Sequence, residues 1–208
     1  MASGDPGPTG LLLSLAVAEP AGGGPRTAAF VSGFLARLLL DPPSASLHAL
    51  LGRRADFPLV HDGLGARVEA VARLCREADQ TELAKEWTRL FVGPRSAPCR
   101  PWHDTWEHEG PPRLRGEKHA SMVGFWRRAG LEPAHLETEP ADHVGLVLAL
   151  VSALAARAAE GEDVKRLLAE LWAAHVEPWL PRFAARLEAE AKVPALQAAG
   201  GLLLEAVS

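Results

Sequence analysis

The feature that most restricts what this chain can fold into is the spacing of its apolar residues, which recur at intervals of three and four along most of its length. Phe30, Val31, Phe34, Leu35, Leu38 and Leu39 form one such stripe, and Leu64, Val68, Val71, Ala72 and Cys75 form another. Leu83, Trp87, Leu90 and Phe91 repeat the pattern, as do Val144, Val147, Leu148, Val151, Leu154 and Ala155. Residues three and four apart share one face of an α-helix, whereas a half-buried strand needs alternation with a period of two. The pattern predicts an all-α protein, a single globular bundle of roughly eight to ten helices. No internal repeat and no low-complexity tract interrupts it.

Glycine and proline divide the pattern into segments. A helix is expected from Arg26 to Leu40, stopped by Asp41-Pro42-Pro43, and Ser44 is placed to cap a short helix through Leu51. Further helices are expected over 63–79, from Thr81 to Phe91, and from Glu117 to Ala129, the last closed by Gly130 in the left-handed conformation. Val144 to Glu160, closed by Gly161, is the most apolar. Glu162 to His175 and Val176 to Lys192 follow, separated by Glu177-Pro178, and Pro194 suits the first position of a final helix. Residues 1–25 are Gly- and Pro-rich and are expected to form a mobile N-terminal segment in which Leu11 to Ala18 docks on the body. Residues 26–208 then form one helical domain, with halves 26–130 and 140–208 joined by a hinge at 131–139.

A chain of 208 residues can bury about 70% of its unfolded surface without disulfides or metals. The formal charge of −4 argues against a nucleic-acid partner, which calls for a basic surface, and favours a basic peptide. Cys75 and Cys99 are too few for a disulfide framework or a four-thiolate metal site, and are read as free thiols in a reducing compartment. Leu11 to Ala18 resembles the apolar part of a secretory signal, but Asp5 and the lack of Lys or Arg before it leave no positive n-region. No apolar run reaches the ~20 residues that span a bilayer. The expected setting is therefore cytoplasmic, without stable membrane insertion.

Glu86 to Trp106 is the most unusual stretch. Its helix ends at Gly93-Pro94, and Pro98 and Pro101 predict an extended, non-helical loop of about a dozen residues that brings Trp102 and Trp106 back to the helix end. Three of the six tryptophans, with Phe91, lie within it. They either seal a local core or border a surface for an amphipathic peptide.

The order Glu86-Trp87-x-x-Leu90-Phe91-x-Gly93-Pro94, then Pro101-Trp102 and Trp106, then Pro140-x-Asp142-His143, resembles the TorD/DmsD-type redox-enzyme maturation chaperones. Asp41-Pro-Pro-Ser44 and the run from His175 to Phe183 extend the resemblance over residues 26–207. The resemblance implies a non-catalytic chaperone that binds the apo catalytic subunit of a molybdoenzyme and its twin-arginine signal peptide before cofactor insertion and export; no residue points to a bound cofactor or metal, and none is expected. It implies client binding by Glu86, Trp87, Phe91, Gly93, Pro94, Pro101, Trp102, Trp106, Asp142 and His143, with Asp142 able to pair with a leader arginine. Without the resemblance, Asp142 reads equally as a charge at a helix N-terminus and His143 as a buried imidazole. Glu86, Asp104 and Glu107 are further acidic candidates. Two positions depart from the family pattern: Val147 stands where a glutamate is frequent, and Trp87 where tyrosine is. Truncating Trp87 or Trp102 is expected to weaken peptide binding and spare the fold. The hinge predicts a monomer with some domain-swapped dimer.

Other classes stay open. Cys99, His103, Asp104 and His108 cluster without the spacing of a zinc motif, and a helical metal-dependent hydrolase would draw on His103, His108 and His143. No nucleophile elbow or phosphate-binding glycine loop supports another catalytic reading. An adaptor for an unrelated protein partner is the remaining alternative.

Overall fold

The computed structural model describes residues 10–19, 23–42, 62–92, 97–107, 114–133 and 135–208. Among these residues there are ten helices and no strand: α1 Leu11–Ala16, α2 Gly24–Leu40, α3 Asp62–Glu77, α4 Gln80–Phe91, α5 Asp104–Glu107, α6 Glu117–Arg128, α7 Val144–Ala159, α8 Lys165–His175, α9 Leu180–Glu190 and α10 Pro194–Val207. The all-α expectation holds. The short helix expected at Ser44 to Leu51, the Gly93-Pro94 stop and His108 lie outside the described residues.

Local chemistry sets many of the ends. Asp79 caps α4, its side chain accepting from the N–H groups of Thr81 and Glu82. Gly130 follows α6 at a φ of 66°, a left-handed conformation that glycine adopts without strain. The helix expected from Val176 begins instead at Leu180, because Pro181 fits only in a first turn, where its missing N–H leaves no bond unmade.

The centre is the pair α2 and α7, which pack along each other and bury Val31, Leu35, Leu38, Leu148, Val151 and Leu154. Gly145 lets them approach, since a Cβ there would lie 2.7 Å from that of Leu40. Ser152 Oγ donates to the carbonyl of Ala29 at 2.7 Å across the same interface. The long apolar stripes thus find their burial between helices far apart in the chain. α10 lies on α9 and α3, and α1 touches α2, α7, α8 and α10.

The body begins before residue 26, because Leu12 and Ala16 of α1 are fully buried against it and α2 starts at Gly24. The proline-rich loop is not wholly extended: beyond Pro101, its last proline, Asp104–Glu107 closes one helical turn. The halves 26–130 and 140–208 share one core, with α2 of the first packed on α7 of the second. Within 131–139 the N–H groups of Thr138 and Glu139 both donate to the carbonyl of His135, so this connection contains a turn.

Candidate functional site

The tryptophan loop is clamped at both ends. Cys99 N–H donates to the carbonyl of Leu90 at the end of α4 at 3.0 Å, and the Cys99 thiol, pushed up to about 12 by burial, remains a neutral packing group. Further on, Val144 N–H donates to Pro101 at 2.7 Å and His103 N–H to Asp142 at 3.2 Å, framing an antiparallel bridge between Trp102 and His143. Asp142 Oδ2 accepts the N–H of Asp104 at 2.9 Å, and Asp104 Oδ1 accepts that of Lys118 at 3.1 Å in the first turn of α6. Both loop segments named by the sequence, 101–106 and 140–143, therefore meet at the N-terminus of α7.

Convergence does not make them all accessible. Trp87 is 5% exposed, Phe91 1%, Asp142 0% and His143 2%. Trp87 Nε1 donates to the carbonyl of Leu38, and Phe91 stacks against Phe183 of α9 with ring centroids 6.2 Å apart. These two aromatics seal the core, so Trp87→Ala is no longer expected to spare the fold. Pro101 is also buried. Glu86, buried as well, accepts both Arg89 Nε at 2.7 Å and an Arg89 terminal nitrogen at 2.8 Å, plus the N–H of Lys192 at 2.6 Å. The guanidinium of Arg89 is the main reason its carboxyl is held below its ordinary value.

Asp142, which the resemblance sets beside a peptide groove, is fully buried. Its carboxyl lies beneath the loop, and burial, with a smaller contribution from the charge of Asp104, raises its pKa to about 6. His143 caps α7, its Nδ1 accepting the N–H of Gly145 at 3.1 Å, and burial holds it neutral, with a pKa lowered to about 3. Asp142 and His143 thus position the loop from below.

Trp102 and Trp106 remain partly exposed. Trp102 Nε1 donates to Glu139 Oε2 at 3.3 Å, and the indole meets the His143 ring edge-on at 6.0 Å. Glu139 is half-buried, and its carboxyl is pushed up chiefly by burial, with the negative charge of Asp41 adding to it. Neither acid was among the sequence-chosen site residues. The only hint was that Glu139 and Asp41 each border one of the proline motifs. Four residues on, Trp106 Nε1 donates to the carbonyl of Arg100 at 2.8 Å, and the ring packs on Phe183 at 6.1 Å and Trp179 at 6.3 Å.

Beneath Trp106 lies a histidine pair. His103 stacks on Trp179, centroids 5.2 Å apart, meets His175 edge-on at 5.5 Å, and bonds through Nε2 to Glu107 Oε1 at 3.0 Å. His175 Nε2 bonds to Ser121 Oγ at 2.8 Å. Burial lowers His103 to about 4 and His175 to about 3. Among the described residues, no group of three or more His, Cys, Asp or Glu side chains could hold a metal ion. No helix among them is long and apolar enough to cross a membrane.

Residues 58–185 match the family described as nitrate reductase delta subunit. The chain is similar to the Tat proofreading chaperone DmsD of Salmonella typhi, at 31% identity over 150 residues, which cover 72% of this chain and 68% of the relative. Similarity to the chaperone protein YcdY of Escherichia coli is 27% over 154 residues, covering 74% and 73%. Similarity to the chaperone protein TorD of Shewanella amazonensis is 29% over 160 residues, covering 74% and 66%.

Proposed function

The chain belongs to the nitrate reductase delta subunit family, in the company of the DmsD and TorD chaperones, and we propose that it is a non-catalytic chaperone for a molybdoenzyme. It binds the twin-arginine signal peptide of the apo catalytic subunit in the cytoplasm and holds that subunit until the cofactor has been inserted.

The observation that carries this reading is the pairing of a partly exposed indole with a half-buried carboxylate at Trp102 and Glu139. A leader guanidinium can stack on the indole and donate charge-assisted bonds to Glu139, and its positive charge offsets both the burial and the nearby Asp41 that raise the Glu139 pKa. The loop beneath is fixed by Asp142 and His143, so little ordering accompanies binding. An affinity in the micromolar range, about −8 kcal/mol, suits a contact that must be released.

The test is calorimetric titration of a synthetic twin-arginine leader into the full chain. Glu139→Gln and Trp102→Ala are each expected to weaken binding about tenfold, the effect of losing about 1.4 kcal/mol. Leader affinity unchanged in both folded variants rejects this site. Co-purification from the native host, returning a molybdopterin enzyme's large subunit, names the client.

A further inference from the structure

Trp102 and Trp106 sit on one loop, but the charges around them have opposite sign. Glu139 bonds to the first, and Asp41, ion-paired with Arg37 at 2.8 Å, lies close enough to Glu139 to act on its carboxyl. The second overlooks a surface cavity of about 360 Å³ lined by Ala97, Pro98, Arg100, Thr105, Trp106 and Arg186. Arg182 adds a third guanidinium, its carbon 6.0 Å from the Trp106 ring centroid.

The nearby acids do not cancel this charge. Glu107 is occupied by His103 Nε2 at 3.0 Å and Lys118 Nζ at 3.7 Å. Glu190 meets one nitrogen of the half-exposed Arg186 at 3.3 Å. Arg182 spends one terminal nitrogen on the carbonyls of Trp106 at 3.5 Å and Pro178 at 3.1 Å. Arg100 has no ion-pair partner among the described residues. Two guanidiniums facing an apolar floor of Pro98 and Trp106 repel a twin-arginine pair and favour a carboxylate held bidentately beside an apolar side chain. The volume lies within the range of sites that take small ligands or single side chains, about 300–1,000 Å³.

We propose that this cavity receives an acidic segment of the client protein, a carboxylate side chain adjoining an apolar one, at a place distinct from the leader's basic part. The inference rests on the chaperone reading above and gives the client contact two ends of opposite charge, with Trp102 at one and Trp106 at the other.

Calorimetry at low salt with the full chain tests it, using acetyl-Glu-Phe-Glu-Leu-amide, its Gln-Phe-Gln-Leu counterpart, inorganic phosphate and the twin-arginine leader as separate probes. The acidic peptide is expected to bind one site, and to lose at least about tenfold in affinity in the Arg100→Gln/Arg186→Gln variant and on replacement of its glutamates, as expected for lost charge-assisted bonds. The leader should bind that variant within about twofold of wild type, because its site at Trp102 is untouched. The proposal is overturned if the acidic peptide does not bind, if both peptides bind alike, if phosphate binds as tightly as the peptide, or if the variant weakens the leader as much as the peptide. Failure of the leader to bind anywhere counts against the chaperone reading, whereas the acidic-peptide comparison decides this one. The variant is read only after circular dichroism shows the wild-type fold.

Discussion

Asp142 Oδ2 accepts the backbone N–H of Asp104 at 2.9 Å, and both residues are buried. This bond ties the tryptophan loop to the chain ahead of α7, and Asp104 passes the tie on to α6 through Lys118 N–H. Asp142→Ala removes the acceptor and leaves a buried N–H unpaired, which should cost about 1–3 kcal/mol in urea unfolding. Asp142→Asn keeps an acceptor and should cost less. A loss of leader affinity in Asp142→Asn with stability unchanged would instead make Asp142 a contact residue.

Trp87 and Trp102 should part company on mutation. Trp87 is 5% exposed and bonds to the carbonyl of Leu38, so Trp87→Ala is expected to destabilise by about 3–5 kcal/mol, as large core truncations do. Trp102→Ala should change stability by about 1 kcal/mol or less, since a partly exposed ring gives up less burial. Denaturant midpoints measured beside leader titrations check both. Equal loss of stability in the two variants would place Trp102 in the core as well.

Stability should fall on acidification below about pH 6.5, the ordinary histidine value. Burial lowers His103 to about 4 and His143 and His175 to about 3, so between those values and 6.5 the unfolded chain binds more protons than the folded one, and stability declines as pH falls. Asp142 acts with the opposite sign: raised to about 6, it favours the folded state as pH falls through that value. Three depressed imidazoles outweigh one raised carboxyl, each such group contributing up to about 1.4 kcal/mol per pH unit. Thermal unfolding from pH 7.5 to 5.0 should show a falling midpoint, with a shallower slope in His175→Gln. A flat profile would contradict neutral burial of the three rings.

We also propose exchange between copies through the 131–139 connection. Its ends lead to α6 and α7, and α7 packs on α2 of the preceding half, so opening the connection would let the same face form between two chains. Light scattering should find a minor dimer that grows after partial unfolding and refolding. Monomer alone at every concentration would end this idea.

Much of the fold was legible because helices announce themselves locally. The three-to-four stripes placed α2, α3, α4, α6 and α7 close to where they lie, and Gly130 and Pro194 mark ends for the anticipated reasons. The misplaced ends have local causes too: Pro181 outweighed the apolar residues ahead of it, and the chain past Pro101 was free to turn. The site was read less completely. Trp102, Asp142 and His143 do meet, but Glu139 beside Trp102 and the cavity arginines Arg100 and Arg186 belong to none of the quoted motifs.

The sequence by itself determined the helical class, most helix positions and the meeting of two proline-bounded segments, because period and backbone restriction act within a few residues. Only the tertiary structure decided which aromatics and charges face outward. Trp87 is buried by a carbonyl 49 positions away, and Glu86 is satisfied by an N–H 106 positions away. Burial is a property of the helices brought alongside, and no spacing along one helix records which neighbour will cover it.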